Sequence, residues 1–374
     1  MGGRAMAEGN YLYLKLYNQM KKDIENGTYL PGEKLPAEGD LCKRFGISAI
    51  TVKKAFGMLV EEGMVRRVPG RGTFVSEVRK EQPVPQRTAP ARNTHLIGMI
   101  LEHVASPFGL DMLYTIDRLL TARGYRLCVR YSYLDRNRET EEIDFLLSLG
   151  VSGLIIMPCH GDHYSTAILR LIVDEFPVVL IDKQLEGIPV STVRTDNIGA
   201  IVSLVDHLRE RGCRNIGLLS MEALGTSSLM ERIEGFHQGL EKYGLTAGAS
   251  CFIRSEYKVD GTGPTVEAVG QVREFLRGEG RALDGLICTE YSMVPMLTRA
   301  AVAEGVTLGA DGLRVCCVDE DYEAPEGYRF THVRQDEQAI ARKAVDMLED
   351  RLQNGATAVE ESLVPALFRQ GSTT

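Results

Sequence analysis

Residues 48–75 read SAITVKKAFGMLVEEGMVRRVPGRGTFV, and a change of rhythm inside them decides the fold of the N-terminal part. Ser48 stands where an N-cap belongs, and Val52, Ala55, Phe56 and Leu59 follow at the spacing of one buried helix face. Gly63 ends that helix, and the period then drops to two. Met64 to Val68 and Thr73 to Val75 are short β-like runs around Pro69-Gly70-Arg71-Gly72. A hairpin tip of that composition must adopt positive φ, which glycine does without strain. Upstream, Leu12, Leu16, Met20 and Ile24 recur every fourth residue between Tyr11 and Asn26, with Gly27 as the stop. Pro31-Gly32 makes a turn, and Glu38 to Phe45 forms a short helix ended by Gly46.

Three helices followed by a glycine-rich β-wing predict a winged helix-turn-helix. The third helix buries one face and leaves Ala49, Ile50, Lys53 and Lys54 on the other, where a recognition helix meets the major groove. Lys43, Arg44, Arg66, Arg67 and Arg71 add positive charge around it, and Arg71 at the wing tip suits a minor groove or a phosphate. Basic residues also solvate ordinary surfaces; here the three-helix-and-wing context places them on the docking side. The formal net charge of the 374-residue chain is −8, yet it is unevenly divided. Residues 1–92 hold 16 Lys and Arg against 10 Asp and Glu, and residues 93–374 hold 27 against 41. A basic head on an acidic body follows, and the head is suited to a polyanion such as double-stranded DNA.

Residues 77–92, EVRKEQPVPQRTAPAR, carry three prolines and little apolar content, so they read as an extended linker. The domains are therefore a DNA-binding head at 1–76, the linker at 77–92 and a larger domain at 93–374. In the last, HLIGMIL, YRLCVRY, GLIIMPC, PVVLIDK, NIGLLS, GLICTE and RVCCVD alternate with stretches of helical spacing. That alternation predicts an α/β fold of doubly wound parallel sheets, and the length favours two similar lobes over one open sheet.

Several classes are excluded. No apolar run approaches twenty residues, so no membrane span is expected, and the N-terminus lacks the pattern of a secretory signal, which points to the cytoplasm. The eight cysteines are scattered without a CxxC pair and read as small buried side chains. His160 and His163 are three apart, but no further ligands at metal spacing accompany them, so no metal and no cofactor are expected. Phosphate-loop, nucleophile-elbow and dinucleotide motifs are absent, which speaks against an enzyme.

The stretch from Tyr11 to Val75 resembles the N-terminal domain of the GntR family of bacterial regulators. The resemblance is carried by Gly27-Thr28-Tyr29-Leu30-Pro31-Gly32-Glu33-Lys34-Leu35-Pro36-Ala37-Glu38, by Thr51-Val52-Lys53-Lys54-Ala55 and by Gly70-Arg71-Gly72-Thr73-Phe74-Val75. It implies Lys34, Glu38, Arg44, Lys53 and Arg71 as DNA contacts and Thr51 as a phosphate ligand, with Ser48, Ala49 and Lys54 on the same surface. Ala49 and Lys53 stand where the family usually has arginine. Lysine lacks the bidentate fork that reads guanine, so a departure from the usual half-site is expected.

Residues 95–369 resemble the effector domain of the LacI family and the ribose-type periplasmic sugar-binding proteins. Ser106-Pro107-Phe108, Ile181-Asp182-Lys183, Thr195-Asp196-Asn197-Ile198-Gly199-Ala200, Glu231-Arg232-Ile233-Glu234-Gly235-Phe236, Cys317-Val318-Asp319-Glu320 and Val333-Arg334-Gln335-Asp336 carry it. With the GntR-like head, the order is similar to the arabinose-repressor (AraR) subfamily. The resemblance implies a small-molecule effector, expected to be a sugar, held by Arg232 and Asp319, with Asp182, Lys183, Asp196 and Gln335 lining the site and Phe108 as a stacking face. Asp196 suits an N-cap as well as a ligand, and Arg232 could instead pair with Glu231 or Glu234. Thr289 and Glu290 stand where the family often has Asn-Asp, which leaves open a phosphate, an acid or a nucleoside. The implied function is a sugar-responsive transcription regulator, expected to repress as a homodimer; a fused carbohydrate-active enzyme is the alternative. The proline-rich linker is unsuited to the hinge helix of LacI-type proteins, so looser coupling is expected.

Overall fold

The structure is a computed structural model that describes residues 12–68, 71–76, 95–102, 104, 107–159, 161, 165–222, 225–254, 265–320, 329–355 and 358–374. The side chains of Leu12, Leu14, Ile50 and Glu61 are not among those described. The expected linker at 77–92, the pair His160 and His163, and the wing residues Pro69 and Gly70 lie outside the described residues. The chain divides into two compact units, Met1–Pro90 and Ala91–Thr374.

In the first unit, helices α1 (Leu12–Glu25), α2 (Glu38–Phe45) and α3 (Ala49–Glu61) precede a hairpin of β1 (Val65–Val68) and β2 (Gly72–Val75). The strands pair antiparallel from Val65↔Val75 to Val68↔Gly72. Leu16 and Met20 of α1 are buried as their spacing demands, together with Tyr13 and Tyr17. Against them α3 buries Val52, Ala55, Phe56 and Leu59. Ser48 caps α3, its Oγ accepting the Thr51 N–H at 3.2 Å, and Gly46 takes the left-handed φ of 65° that closes α2. The Lys21 ammonium donates to Glu62 at 3.0 Å, and the Tyr17 hydroxyl bonds the same carboxylate. Together they tie α1 to the end of α3.

The second unit has two lobes built on the same plan. In the first lobe the strands are β3 (Leu96–Leu101), β4 (Arg126–Tyr131), β5 (Gly153–Ile156), β6 (Val178–Ile181), β7 (Thr192–Thr195) and β13 (Glu361–Val364). They form one parallel sheet in the order β13-β7-β6-β5-β3-β4. Helices α4 (Leu110–Ala122), α5 (Arg136–Ser148), α6 (Thr166–Val173) and α11 (Glu337–Asn354) belong with it. The second lobe holds β8 (Ile216–Met221), β9 (Ser250–Ile253), β10 (Gly285–Cys288), β11 (Arg314–Val318), β12 (Thr331–Arg334) and β14 (Leu367–Arg369). Their order is β14-β12-β11-β10-β8-β9, with only β14 antiparallel to its neighbour. Helices α7 (Asn197–Glu210), α8 (Ser227–Glu241), α9 (Val266–Arg277) and α10 (Met293–Glu304) complete it.

The expected doubly wound α/β architecture with two similar lobes is present. Strands β7, β9, β12, β13 and β14 were not anticipated from the apolar runs. Their sequences are TVRT, SCFI, THVR, ESLV and LFR, three or four residues long and each holding at least one polar residue, so they lack the continuous apolar signature of a fully buried parallel strand. The chain passes between lobes after β7, after β12 and between β13 and β14. These crossings are joined: Asp196 N–H bonds Val364 C=O at 2.9 Å, and Thr195 Oγ1 bonds Gln335 Oε1 at 2.7 Å. All eight cysteines are free thiols, with Cys159, Cys213, Cys288, Cys316 and Cys317 buried and the other three half-buried. Among the described residues no helix is long and apolar enough to cross a membrane.

Helices α7 and α8 pack so closely that a Cβ on Gly235 would lie 2.7 Å from the carbonyl oxygen of Ile198. Backbone cannot step aside as a flexible side chain can. Gly235→Ala is therefore expected to destabilise the sensor by about 1–3 kcal/mol, the usual cost of overpacking. Chemical denaturation of the full chain checks this, and a loss below about 0.5 kcal/mol contradicts the packing argument.

Candidate functional site: a lobe-junction polar cluster and a basic winged face

Parallel strands bind ligands beyond their carboxyl ends, where the strand order reverses. In both sheets this point lies beside the first strand, between β3 and β5 and between β8 and β10. Residues after the strands of the two lobes come close to one another near the crossings: Gln184 N–H bonds Ser227 Oγ at 3.1 Å.

On the second-lobe side, Arg232 of α8 is 4% exposed, a position a guanidinium holds only with fixed partners. Its Nε donates to Asn197 Oδ1 at 2.9 Å and its Nη1 to the Thr289 carbonyl at 2.8 Å. Nη2 has no hydrogen-bond partner among the described residues. The expected alternative, a pairing of Arg232 with Glu231 or Glu234, is not what forms. Asp319 follows β11 with a left-handed φ of 64° and accepts Gln335 N–H at 3.0 Å and Gln335 Nε2 at 2.7 Å. Burial pushes the Asp319 carboxyl above its ordinary range, against the pull of the nearby Arg232 guanidinium and of the Gln335 hydrogen bonds. Thr289 is fully buried, its hydroxyl donating to Ser220 Oγ at 2.9 Å, while Glu290 is half-buried. Arg232, Thr289, Asp319 and Gln335 thus form one cluster, joined by Thr195 and Asn197 at the first crossing.

The first-lobe residues are arranged otherwise. Asp182 follows β6 with φ of 68°, the counterpart of Asp319. Lys183 is buried: its ammonium is bonded to the Glu102 carboxylate, donates to Pro158 C=O at 3.3 Å and lies 3.9 Å from Asp182 Oδ2. It serves Glu102 in this structure instead of presenting a free ammonium. Phe108 is half-buried and packs against the first-lobe core. Asp196 takes the capping alternative, Oδ1 accepting Gly199 N–H at 2.9 Å.

Asn197, Glu102 and Thr195 were not selected from the sequence. Glu102 could have been, because it is the charged residue directly after the apolar run of β3, at a strand's carboxyl end. Asn197 carries no such signal; its role depends on Arg232, 35 positions away.

Two further buried carboxyls matter for pH. Glu139 accepts Cys159 N–H at 2.7 Å, and Glu337 accepts Gly109 and Met112 N–H at 2.9 Å each, at the start of α4. Burial pushes both up to about 7 from 4.5. A raised carboxyl pKa means that the folded state holds its proton more tightly than the unfolded chain. The stability it contributes is complete below pH 4.5 and is lost as pH rises through about 7. Burial lowers His207 below its ordinary 6.5, which acts in the opposite sense only under that pH. Between pH 6.5 and 8 the sensor is expected to lose roughly 1–2 kcal/mol, and Glu139→Gln is expected to flatten the profile. Melting of the full chain across that range checks it; a flat wild-type profile contradicts it.

In the winged unit, Lys53 and Ala49 are exposed on α3, as are Ser48 at its start, Arg44 of α2, Lys34 and Arg71. Glu38 pairs with Arg67 at 3.2 Å, and Thr51 Oγ1 shares a 2.7 Å hydrogen bond with Ser48. Lys54 departs from its expected place on the open face. Its ammonium lies 4.6 Å from the centre of the Tyr13 ring, because the turn of α3 carries it toward α1.

A three-helix winged head and a two-lobed sheet domain with a buried polar cluster at the lobe crossings define the class: a DNA-binding regulator with a periplasmic-binding-protein-like sensor. Residues 12–75 match bacterial regulatory proteins of the gntR family. Residues 94–253 match the periplasmic binding proteins and sugar binding domain of the LacI family, and residues 205–374 match a periplasmic binding protein-like domain. The arabinose metabolism transcriptional repressor of Geobacillus stearothermophilus is 25% identical over 341 residues, 90% of each chain. The HTH-type transcriptional regulator PtxS of Pseudomonas aeruginosa is 27% identical over 353 residues, 93% of this chain and 98% of PtxS. The transcriptional regulator CelR in complex with cellobiose superposes with a TM-score of 0.64 at 19% identity, covering 87% of this chain and 90% of CelR. The chain therefore joins a GntR helix-turn-helix domain to a LacI-type sensor domain.

Proposed function

We propose that this chain is a cytoplasmic, non-enzymatic repressor whose operator affinity is set by a small carbohydrate bound at the lobe junction. The head at 1–76 presents Lys34, Glu38, Arg44, Ser48, Ala49, Thr51, Lys53 and Arg71 to DNA, and the segment 77–92 joins it to the sensor at 93–374. Two copies form a homodimer, since a two-fold axis matches a palindromic operator. The observation that carries the reading is Arg232: buried, oriented by Asn197 and Thr289, next to the Asp319 carboxylate, and with one amino group to spare. A guanidinium and a carboxylate side by side suit the vicinal hydroxyls of a sugar. The names of the relatives, one concerned with arabinose metabolism and one bound to cellobiose, support the same ligand class.

The test is melting of the full chain against pentoses, hexoses, uronic acids and sugar phosphates. A ligand at a hundred times its Kd is expected to add about 2.7 kcal/mol. No response to any of them contradicts the sugar reading. For the head, duplexes selected from a random pool supply an operator. Lys53→Ala is then expected to weaken binding, and a lowering of the salt slope by about 1 marks a phosphate contact, whereas relaxed preference at one base pair marks a base contact. An unchanged affinity removes Lys53 from the interface.

A further inference from the structure

Corresponding residues of the two lobes repeat around the crossings. Asp182 and Asp319 follow β6 and β11 with nearly the same left-handed φ, and their N–H groups bond Val193 and Val333 on the next strand. Asp196 and Asp336 cap α7 and α11, accepting Gly199 and Ala339 N–H at 2.9 Å each. Two residues before each cap stands an arginine: Arg194 in β7 and Arg334 in β12.

Each arginine reaches out of its own lobe. Arg194 donates Nη1 to Glu231 Oε1 of α8 in the second lobe at 2.6 Å. Arg334 donates Nη2 to Asp111 Oδ2 of α4 in the first lobe, also at 2.6 Å. Helices α8 and α4 are themselves counterparts, each following the first strand of its lobe. We propose that Arg194 and Arg334 are a pseudo-symmetric pair of interlobe latches, positioning residues that set how far the lobes separate and hold the ligand-facing groups in register with the crossings.

The contacts beyond each latch support this role. Glu231 Oε2 accepts Asn197 Nδ2 at 3.0 Å, and Asn197 Oδ1 accepts Arg232 Nε at 2.9 Å, so Arg194 acts on Arg232 through two side chains. Arg194 also bonds Glu361, the first residue of β13, the strand that leads into the third crossing. On the other side Glu337, three residues after Arg334, holds the Gly109 and Met112 N–H groups at the start of α4. The two latches differ in depth. Side chains of Arg194 and Glu231 are 10% and 15% exposed, those of Arg334 and Asp111 30% and 38%. Charge reversal is therefore tolerable at the outer latch and severe at the inner one.

The inference rests on reading the sensor as a pair of lobes that move, and its test needs no effector, so its failure is separable from the absence of a sugar response. Fluorophores attached through noncanonical residues at positions 149 and 302, exposed sites in the first and second lobes, report the interlobe distance in the full chain by single-molecule energy transfer. Arg334→Asp or Asp111→Arg alone is expected to shift the mean distance by more than about 2 Å or to broaden its distribution. Asp111→Arg combined with Arg334→Asp is expected to restore the wild-type distribution, which loss of packing would not. At the inner latch, Arg194→Lys keeps the distribution and Arg194→Gln does not. Should the Arg194 variants fail to fold, the outer pair decides alone. Unchanged distributions in the single variants, or a charge swap as displaced as its parents, overturn the proposal.

Discussion

Arg232→Ala is expected to weaken the response to the effector by about one to two orders of magnitude while leaving the head able to bind its operator. The guanidinium supplies hydrogen bonds to Asn197 Oδ1 and the Thr289 carbonyl and a positive field beside the buried Asp319 carboxyl. Alanine leaves two acceptors without donors, costing about 1–3 kcal/mol each, and removes the one amino group with no partner among the described residues. A charged hydrogen bond to ligand contributes about 1.5–3 kcal/mol, so effector affinity is expected to fall about 10- to 150-fold. Arg232→Lys keeps the charge without the planar fork and is expected to fall between. Titration calorimetry with the sugar identified by melting, beside operator binding with and without it, reads both halves. An Arg232→Ala protein that remains folded and binds the sugar within threefold of wild type removes this residue from the site.

Breaking the buried pair of Lys183 and Glu102 is expected to destabilise the first lobe strongly. Both side chains are at most 5% exposed, and Asp182 lies 3.9 Å from the same ammonium. Lys183→Met strands the Glu102 carboxylate beside Asp182 without its cation, which costs about 3–5 kcal/mol. Replacing both partners, Lys183→Met with Glu102→Leu, removes the uncompensated charge together with its partner. The double variant is therefore expected to recover most of the loss, since well-packed apolar substitutes for a buried pair are often neutral or better. Denaturant unfolding of wild type, both single variants and the double variant closes the cycle. A single variant costing under about 1 kcal/mol, or losses that simply add, contradicts a coupled buried pair.

The response to effector and the stability of the first lobe are thus separable. Arg232 is oriented by second-lobe residues and the crossing at Asn197, whereas Lys183 is held within the first lobe. That division was not visible beforehand. Both residues sit in motifs that resemble the LacI family, and both were expected to touch ligand. The spacing of Lys183 from Glu102 is 81 positions, and nothing in either local segment announces the pair.

Local chemistry in the sequence determined the head almost completely. Helix α1 follows from Leu16 and Met20, the start of α3 from the Ser48 cap and the hairpin from its glycines, because each depends on neighbours within a few residues. It also determined the α/β class and seven strands, each announced by a mainly apolar run, whereas β7, buried at every residue with the sequence TVRT, announced itself by none. Tertiary structure alone decided what lies at the lobe crossings. There the strands are short and each holds at least one polar residue, and the side chains are satisfied from the opposite lobe: Arg194 by Glu231, Arg334 by Asp111, Thr195 by Gln335. It likewise turned Lys54 onto Tyr13. Periodicity records which face of an element is buried, but not which distant charge will meet it there; that pairing exists only once the lobes are packed.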